Sequence, residues 1–121
     1  MYNTFAIIEN LVEVRPEMAL TICSRTHILT FLVERLSQKN FDSNKLYCSE
    51  ILCILLQGDI ANCRRFVEKD GLQGDMDGID ALLQILFHYR KKEDLPNDEE
   101  ECVHNLFHAM VLKSPRFFIF I

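Results

Sequence analysis

The segment NKLYCSEILCILLQ, residues 44–57, is the most hydrophobic stretch of the chain, and it decides the fold. It contains no glycine or proline, and apolar residues lie on most sides of the helix that it can form. Lys45 and Ser49 are one turn apart on a narrow face, with Glu50 beside them. Because a helix that is apolar on most sides is buried on most sides, the sequence places this helix at the centre of the core.

The composition of the whole chain also favours helices. The 121 residues are 49% hydrophobic and 26% charged, values typical of a folded globular domain rather than a disordered chain. Only four glycines and three prolines occur, too few for the turns of a β-sandwich or barrel of this length. The formal net charge of −5 argues against a general nucleic-acid-binding surface, which needs a basic face.

Apolar spacing predicts further helices on both sides of the central segment. They lie at residues 4–14, at 17–38 as two helices with a break at 24–26, at 60–69, at 79–91 and at 98–112. Ser24 or Thr26 is expected to cap the helix after the break, and Asn97 with Glu100 resembles a capping box before the last helix. A glycine-rich loop is predicted at 70–78.

The predicted helices form a repeat. Residues 10–12 align with 50–52 at an offset of 40, residues 50–52 align with 105–107 at an offset of 55, and residues 28–32 align with 82–86 at an offset of 54. The helices at 4–14, 44–57 and 98–112 are therefore predicted to close successive three-helix units of about 40–47 residues, as in armadillo or HEAT repeats. About two and a third units are present, and a compact helical bundle is the alternative.

The five cysteines are spaced irregularly and include no C-x-x-C pair, so they do not indicate a zinc site. Four lie in apolar helical patterns and Cys63 lies in a polar one, and we expect reduced core thiols in a cytosolic or nuclear protein. The N-terminus lacks the features of a signal peptide, and no apolar stretch approaches the ~20 residues of a membrane helix.

His104 and His108 stand at i and i+4, which is the zinc-binding spacing of H-E-x-x-H. Asn105 replaces the glutamate of that motif and the sequence suggests no third ligand, so we expect an exposed helix face rather than a metal site. No cofactor is predicted. Nothing in the sequence fixes a catalytic triad, so the chain is not expected to be an enzyme.

Two other motifs have simple interpretations. Residues 70–80 resemble a calcium loop, but Gln73 and Gln84 stand where two strong ligands belong, which favours an acidic loop between helices. The run Arg90-Lys91-Lys92 can be read as part of a nuclear-localisation signal, whereas the simpler interpretation is a solvated helix end.

Several stretches resemble the beta-catenin-like protein 1 family. They are residues 9–13, 15–18, 41–42, 44–52, 54–57, 77–80, 82–84, 99–100 and 105–107. The resemblance runs in order through most of residues 3–112, and 44–57 is its most specific part. It implies an all-α, armadillo-like solenoid at residues 1–113, followed by an atypical apolar tail at 114–121.

The resemblance also implies a function. Members of this family are nuclear, associate with the spliceosome and pre-mRNA splicing, and act as adaptors rather than enzymes. The implied partners are proteins, namely splicing factors and basic localisation-type peptides, with no direct binding of nucleic acid or membrane. The alternative is a structural helical-repeat fragment that mainly self-associates through uncapped ends and has no specific ligand.

The last helix of each unit lines the concave surface of a solenoid, so its polar residues are the candidates for partner binding. They are Glu9, Asn10, Glu13, Ser49, Glu50, His104, Asn105 and His108. Asparagine amides can bond a peptide backbone as donor and acceptor, and carboxylates can pair with lysine or arginine. The chain has no tryptophan, so an importin-like aromatic clamp is not expected.

Overall fold

The computed structural model describes residues 2–38, 40–58, 60–67, 78–89 and 94–112. All regular secondary structure in these ranges is α-helical. The helices are α1 (Tyr2–Val14), α2 (Met18–Arg25), α3 (Ile28–Leu36), α4 (Ser43–Gly58), α5 (Ile60–Val67), α6 (Gly78–Tyr89) and α7 (Asn97–Leu112). Residues 70–77 of the predicted loop, the basic run at 90–92 and the tail at 114–121 lie outside the described residues.

The break between α2 and α3 lies at residues 26–27, close to the predicted 24–26. His27, and not Ser24 or Thr26, occupies the N-cap position of α3, whereas Thr26 is the C-cap of α2. Its hydroxyl donates to the Ile22 carbonyl at 2.6 Å and accepts from the Ile28 N–H at 3.3 Å. The Ser24 hydroxyl instead donates within α2, to the Thr21 carbonyl. The start of α7 was predicted one residue late, because Asn97 is already helical and the Pro96 carbonyl accepts from the Glu100 N–H at 2.9 Å.

The central position predicted for residues 44–57 is confirmed. Helix α4 packs against α1, α2, α3, α5 and α7. The side chains of Cys48, Ile51, Leu52 and Leu55 are fully enclosed by these neighbours. Burial on almost every side matches the near-continuous apolar pattern of this segment.

The helices stack with a period of three. Helix α1 packs on α4, α2 on α5, α3 on α6 and α4 on α7, so each of the first four helices meets the helix three places along the chain. A single compact bundle has no reason to repeat its contacts in this way, whereas stacked three-helix units require it. The fold is therefore the armadillo-like α-solenoid that the repeat predicted.

Two corners fix the ends of α4. At its start, the Asp42 carboxylate accepts from the Lys45 N–H at 3.0 Å and pairs with Arg35 at 2.5 Å, while the Lys45 ammonium donates to the Gln38 carbonyl. Burial lowers the pKa of Lys45. Near its other end, the Asn62 amide donates to the Leu55 carbonyl at 2.8 Å, which satisfies a carbonyl close to the helix terminus.

All five cysteines are buried and unpaired by disulfides, as expected for core thiols. Cys63 is included although its sequence surroundings are polar, and its thiol donates to the Leu56 carbonyl. Burial raises the pKa of Cys23 and of Cys48 to about 12, and that of Cys53 and of Cys102 to about 11. These four thiols are therefore protonated, and weak nucleophiles, near neutral pH.

Candidate functional site

The eight residues proposed from the sequence all lie on α1, α4 and α7, which are the last helices of successive units. Helix α4 is packed between the other two, so the structure has two equivalent seams, α1–α4 and α4–α7. Each seam brings together one residue pair from the predicted set. Whether this surface is concave and binds a partner stays a prediction.

The α4–α7 seam contains a neutral polar pair. The Asn105 amide donates to the Ser49 hydroxyl at 3.0 Å, and that hydroxyl donates to the Leu46 carbonyl at 2.7 Å. The Asn105 backbone carbonyl accepts from the Cys53 thiol at 3.0 Å. Every group in this chain of contacts has a partner, so the seam is a satisfied polar network.

Ser49 was predicted to be a surface contact, but its side chain is 0% exposed. The reason is that α7 packs directly over this face of α4, and a small hydroxyl side chain fits beneath the neighbouring helix. Ser49 therefore cannot touch a partner directly, and it instead holds Asn105, which is half-buried at the surface of the seam.

The α1–α4 seam contains two acids. Glu9 and Glu50 share a side-chain hydrogen bond, and both are half-buried. Burial raises the pKa of Glu9 from 4.5 to about 8, and the hydrogen bond to Glu50 and the charges of Glu50 and Glu13 add to the rise. Glu9 therefore holds a proton near neutral pH and donates it to the Glu50 carboxylate.

The two pairs occupy the same repeat positions. An offset of 40 places Glu9 over Ser49, and an offset of 55 places Glu50 over Asn105. The same contact between units is therefore made twice, once from Glu9 to Glu50 and once from Ser49 to Asn105. The next residue in the series is His104, which an offset of 55 places over Ser49.

The remaining predicted residues are exposed. Asn10, Glu13, His104 and His108 all face solvent. His104 lies 4.0 Å from Glu100, and both side chains are largely exposed, so this pair contributes little to stability. Among the described residues, no group of three or more histidine, cysteine or acidic side chains could hold a metal ion.

A shallow depression beside the α4–α7 seam contains Tyr47 and Asp98, which were not predicted from the sequence. It is lined by Ser43, Leu46, Tyr47, Glu50 and Asp98. Two carboxylates lie there with one aromatic ring, a combination suited to a cationic side chain. The spacing of Ser43, Tyr47 and Glu50 along one helix face was a usable signal, but the approach of Asp98 depends on how α7 packs.

Comparison with known proteins agrees with this architecture. The family model described as "Catenin-beta-like, Arm-motif containing nuclear" matches residues 1–114. This chain belongs to that family. Within the catenin-beta-like family, the chain is 43% identical over 111 residues to Beta-catenin-like protein 1 of Rattus norvegicus and 42% identical to that of Homo sapiens. It is 29% identical over 112 residues to the Schizosaccharomyces pombe homolog.

These alignments cover 91% of the chain but only a small part of each relative. The chain spans 18% of the rat and human proteins and 19% of the yeast homolog. The family membership establishes an armadillo-type repeat, and the resemblance noted in the sequence is confirmed. In the described part of this catenin-beta-like chain, no helix is both long and apolar enough to cross a membrane.

Proposed function

We propose that this chain is a non-catalytic, protein-binding adaptor associated with the spliceosome and pre-mRNA splicing in the nucleus. Its surface along α1, α4 and α7 binds basic segments of partner proteins, such as localisation-type peptides of splicing factors. The membership of an armadillo-motif family described as nuclear supports the general role. The observation that carries the binding chemistry is the depression where Glu50 and Asp98 lie with Tyr47.

The chemistry of the depression suits lysine or arginine. A guanidinium or ammonium group on the ligand can pair with the Glu50 and Asp98 carboxylates while its stem packs on Tyr47 or Leu46. Asn10 is exposed on α1 and can bond the ligand backbone as both donor and acceptor. The net charge of −5 raises the rate at which a basic peptide arrives, especially at low salt.

Charge-reversal variants test this assignment. Binding of a fluorescent, arginine- and lysine-rich peptide is measured by anisotropy at several salt concentrations. Glu50→Lys with Asp98→Lys is expected to weaken binding at least about tenfold, because both carboxylates of the depression are replaced by repelling charges. Circular dichroism verifies that the variant keeps its helical content.

A matched control separates the site from the overall charge. Glu17→Lys with Glu34→Lys changes the net charge equally at two exposed positions outside the depression, and it should cost much less affinity. Equal losses in the two double variants would show that the peptide responds only to the net charge. That result, or no binding of basic peptides by the parent chain, would reject the proposed site.

A further inference from the structure

A cavity of about 210 Å³ lies where the end of α3, the start of α4 and the end of α6 meet. The described side chains in its wall include Lys45 from α4, and Gln84, His88 and Tyr89 from α6. Sites for drug-sized molecules usually measure about 300–1,000 Å³, so this cavity suits a ligand the size of one side chain. It shares no lining residue with the depression at Glu50.

Lys45 is the unusual residue in this wall, because it is only 3% exposed. A lysine is rarely so buried unless a partner neutralises its charge. An ammonium carries three N–H donors, and the Gln38 carbonyl accepts from one of them. None of the ion pairs among the described residues includes Lys45. The ammonium therefore lines the cavity with donors but without a counter-charge.

The acids near Lys45 are engaged elsewhere. The Asp42 carboxylate pairs with Arg35 at 2.5 Å, and the Glu99 carboxylate accepts from the Tyr89 hydroxyl. Burial lowers the pKa of Lys45, and the Arg35 charge adds to that fall. The charges of Asp42 and Glu99 only oppose it. An anion in the cavity would supply the missing counter-charge and would raise the pKa of Lys45.

We infer that this cavity binds the side-chain carboxylate of a glutamate or aspartate on a partner protein. One ammonium matches the single negative charge of a carboxylate better than the double charge of a phosphate. Gln84 and His88, one turn apart and exposed at the rim, can add N–H donors to the carboxylate oxygens. The armadillo-type stack favours a protein as the carrier of this group. The inference is independent of the proposed binding of basic peptides.

Two small ligands that differ only in charge test the site. N-acetyl-glutamate amide and N-acetyl-glutamine amide have the same shape, and only the first carries a carboxylate. Each is titrated into the full chain, with the Lys45 side chain observed by NMR of isotope-labelled lysine. The glutamate compound should shift the Lys45 signals to saturation and bind at least about tenfold more tightly than the glutamine compound. It should also raise the pKa of Lys45.

A matched pair of variants places a competing charge inside and outside the cavity. Gln84→Glu puts a carboxylate in the wall and should weaken the glutamate compound at least about tenfold. Gln57→Glu makes the same change at an exposed position of α4 outside the cavity and should leave the affinity unchanged. Both positions are exposed, so neither change disturbs the core, and circular dichroism verifies the helical content.

Removing the ammonium completes the test. Lys45→Met keeps the apolar stem and should abolish the preference for the glutamate compound. Because Lys45 also bonds the Gln38 carbonyl, the Gln84 variant keeps the test decisive if Lys45→Met fails to fold. Equal affinities of the two compounds, or Lys45 signals that do not move, would overturn the inference. Tighter binding of N-acetyl-phosphoserine amide would overturn the carboxylate assignment, and equal affinity for acetate alone would overturn the assignment to a side chain.

Discussion

The seams α1–α4 and α4–α7 use the same two repeat positions but fill them with different chemistry. The first seam pairs Glu9 with Glu50, and the second pairs Ser49 with Asn105. The neutral pair makes its hydrogen bond without any carboxylate. The acidic pair is satisfied only while Glu9 keeps a proton, because two adjacent carboxylates repel each other.

The difference shows what a helical repeat fixes and what it leaves to individual residues. The period determines which positions meet across a seam, so Glu9 reaches Glu50 for the same reason that Ser49 reaches Asn105. Side-chain size and charge then decide whether the meeting point is closed or open to water. Ser49 is small and fully buried, whereas Glu9 is longer and half-buried at the edge of its seam.

The largest loss of stability is expected when the glutamate of the α1–α4 seam is placed at the equivalent position of the α4–α7 seam. Ser49→Glu should lower the free energy of unfolding by about 3 kcal/mol or more, because a larger, ionisable side chain is forced into a fully buried site. Urea unfolding followed by circular dichroism measures the loss.

The control for this substitution is Ser43→Glu. Ser43 is exposed at the start of the same helix, so the same chemical change should alter stability by less than about 0.5 kcal/mol. If Ser49→Glu unfolds at the same urea concentration as the parent, the buried position of Ser49 in the seam is wrong.

The second prediction concerns the neutral pair itself. Asn105→Ala removes the hydrogen bond to Ser49 and should cost about 1 kcal/mol of unfolding free energy. His104→Ala, the adjacent exposed residue on α7, should change stability by less than about 0.5 kcal/mol. Thermal or urea unfolding of both variants compares them directly, and equal effects would mean that the bond contributes nothing measurable.

A double-mutant cycle sharpens this result. Ser49→Ala combined with Asn105→Ala should cost less than the sum of the two single changes, because either one already removes the shared bond. Additive effects would show that the two residues act independently, and that the α4–α7 seam is held by its apolar contacts alone.

Much of the fold could be predicted from the sequence, because it depends on local patterns and their spacing. The apolar run of α4 indicated a central helix, and the offsets of 40 and 55 aligned residues that make equivalent contacts in the structure. Proline and the capping residue Thr26 marked helix boundaries within about two residues. These features are encoded in short segments, so no knowledge of tertiary packing was needed.

Burial of individual polar residues could not be predicted in the same way. Lys45 and Ser49 are polar in sequence but 3% and 0% exposed. The turn after α3 and helix α7 offer them partners that the α4 segment does not specify. Phe107 shows the reverse case, because it is apolar but 56% exposed. Its apolar character and helical spacing match those of the core residue Leu52, but periodicity alone does not show which stacking faces are covered.

The residues of the candidate site also differ in whether they could be predicted from one helix alone. Glu50 was identified because it is an acid on the last helix of a unit. Tyr47 was not identified, although it lies one turn from Glu50 on α4. Asp98 belongs to α7 and joins these residues only when α7 packs on α4, so the α4 pattern could not show it. A surface made by two helices is a property of their packing, and one helical pattern shows only half of it.

The smallest predicted effect is the pH dependence of stability that comes from Glu9, and only the α1–α4 seam should show it. Since the folded state holds the Glu9 proton more tightly than the unfolded state, with a pKa of about 8 against 4.5, this group stabilises the fold fully only below the lower value. That contribution is lost as the pH rises through about 8. The melting temperature of the parent should therefore fall between pH 5 and pH 9 in part because of Glu9.

Glu9→Gln isolates this contribution because glutamine can donate to Glu50 at every pH. The variant should melt at a higher temperature than the parent at pH 9, by an amount worth less than about 1 kcal/mol since Glu9 is partly exposed, and the difference should shrink towards pH 5. Glu34→Gln, an exposed acid on α3, is the control and should track the parent. If the parent and Glu9→Gln curves stay parallel from pH 5 to 9, Glu9 ionises normally, and the α1–α4 seam is as insensitive to pH as the seam between Ser49 and Asn105.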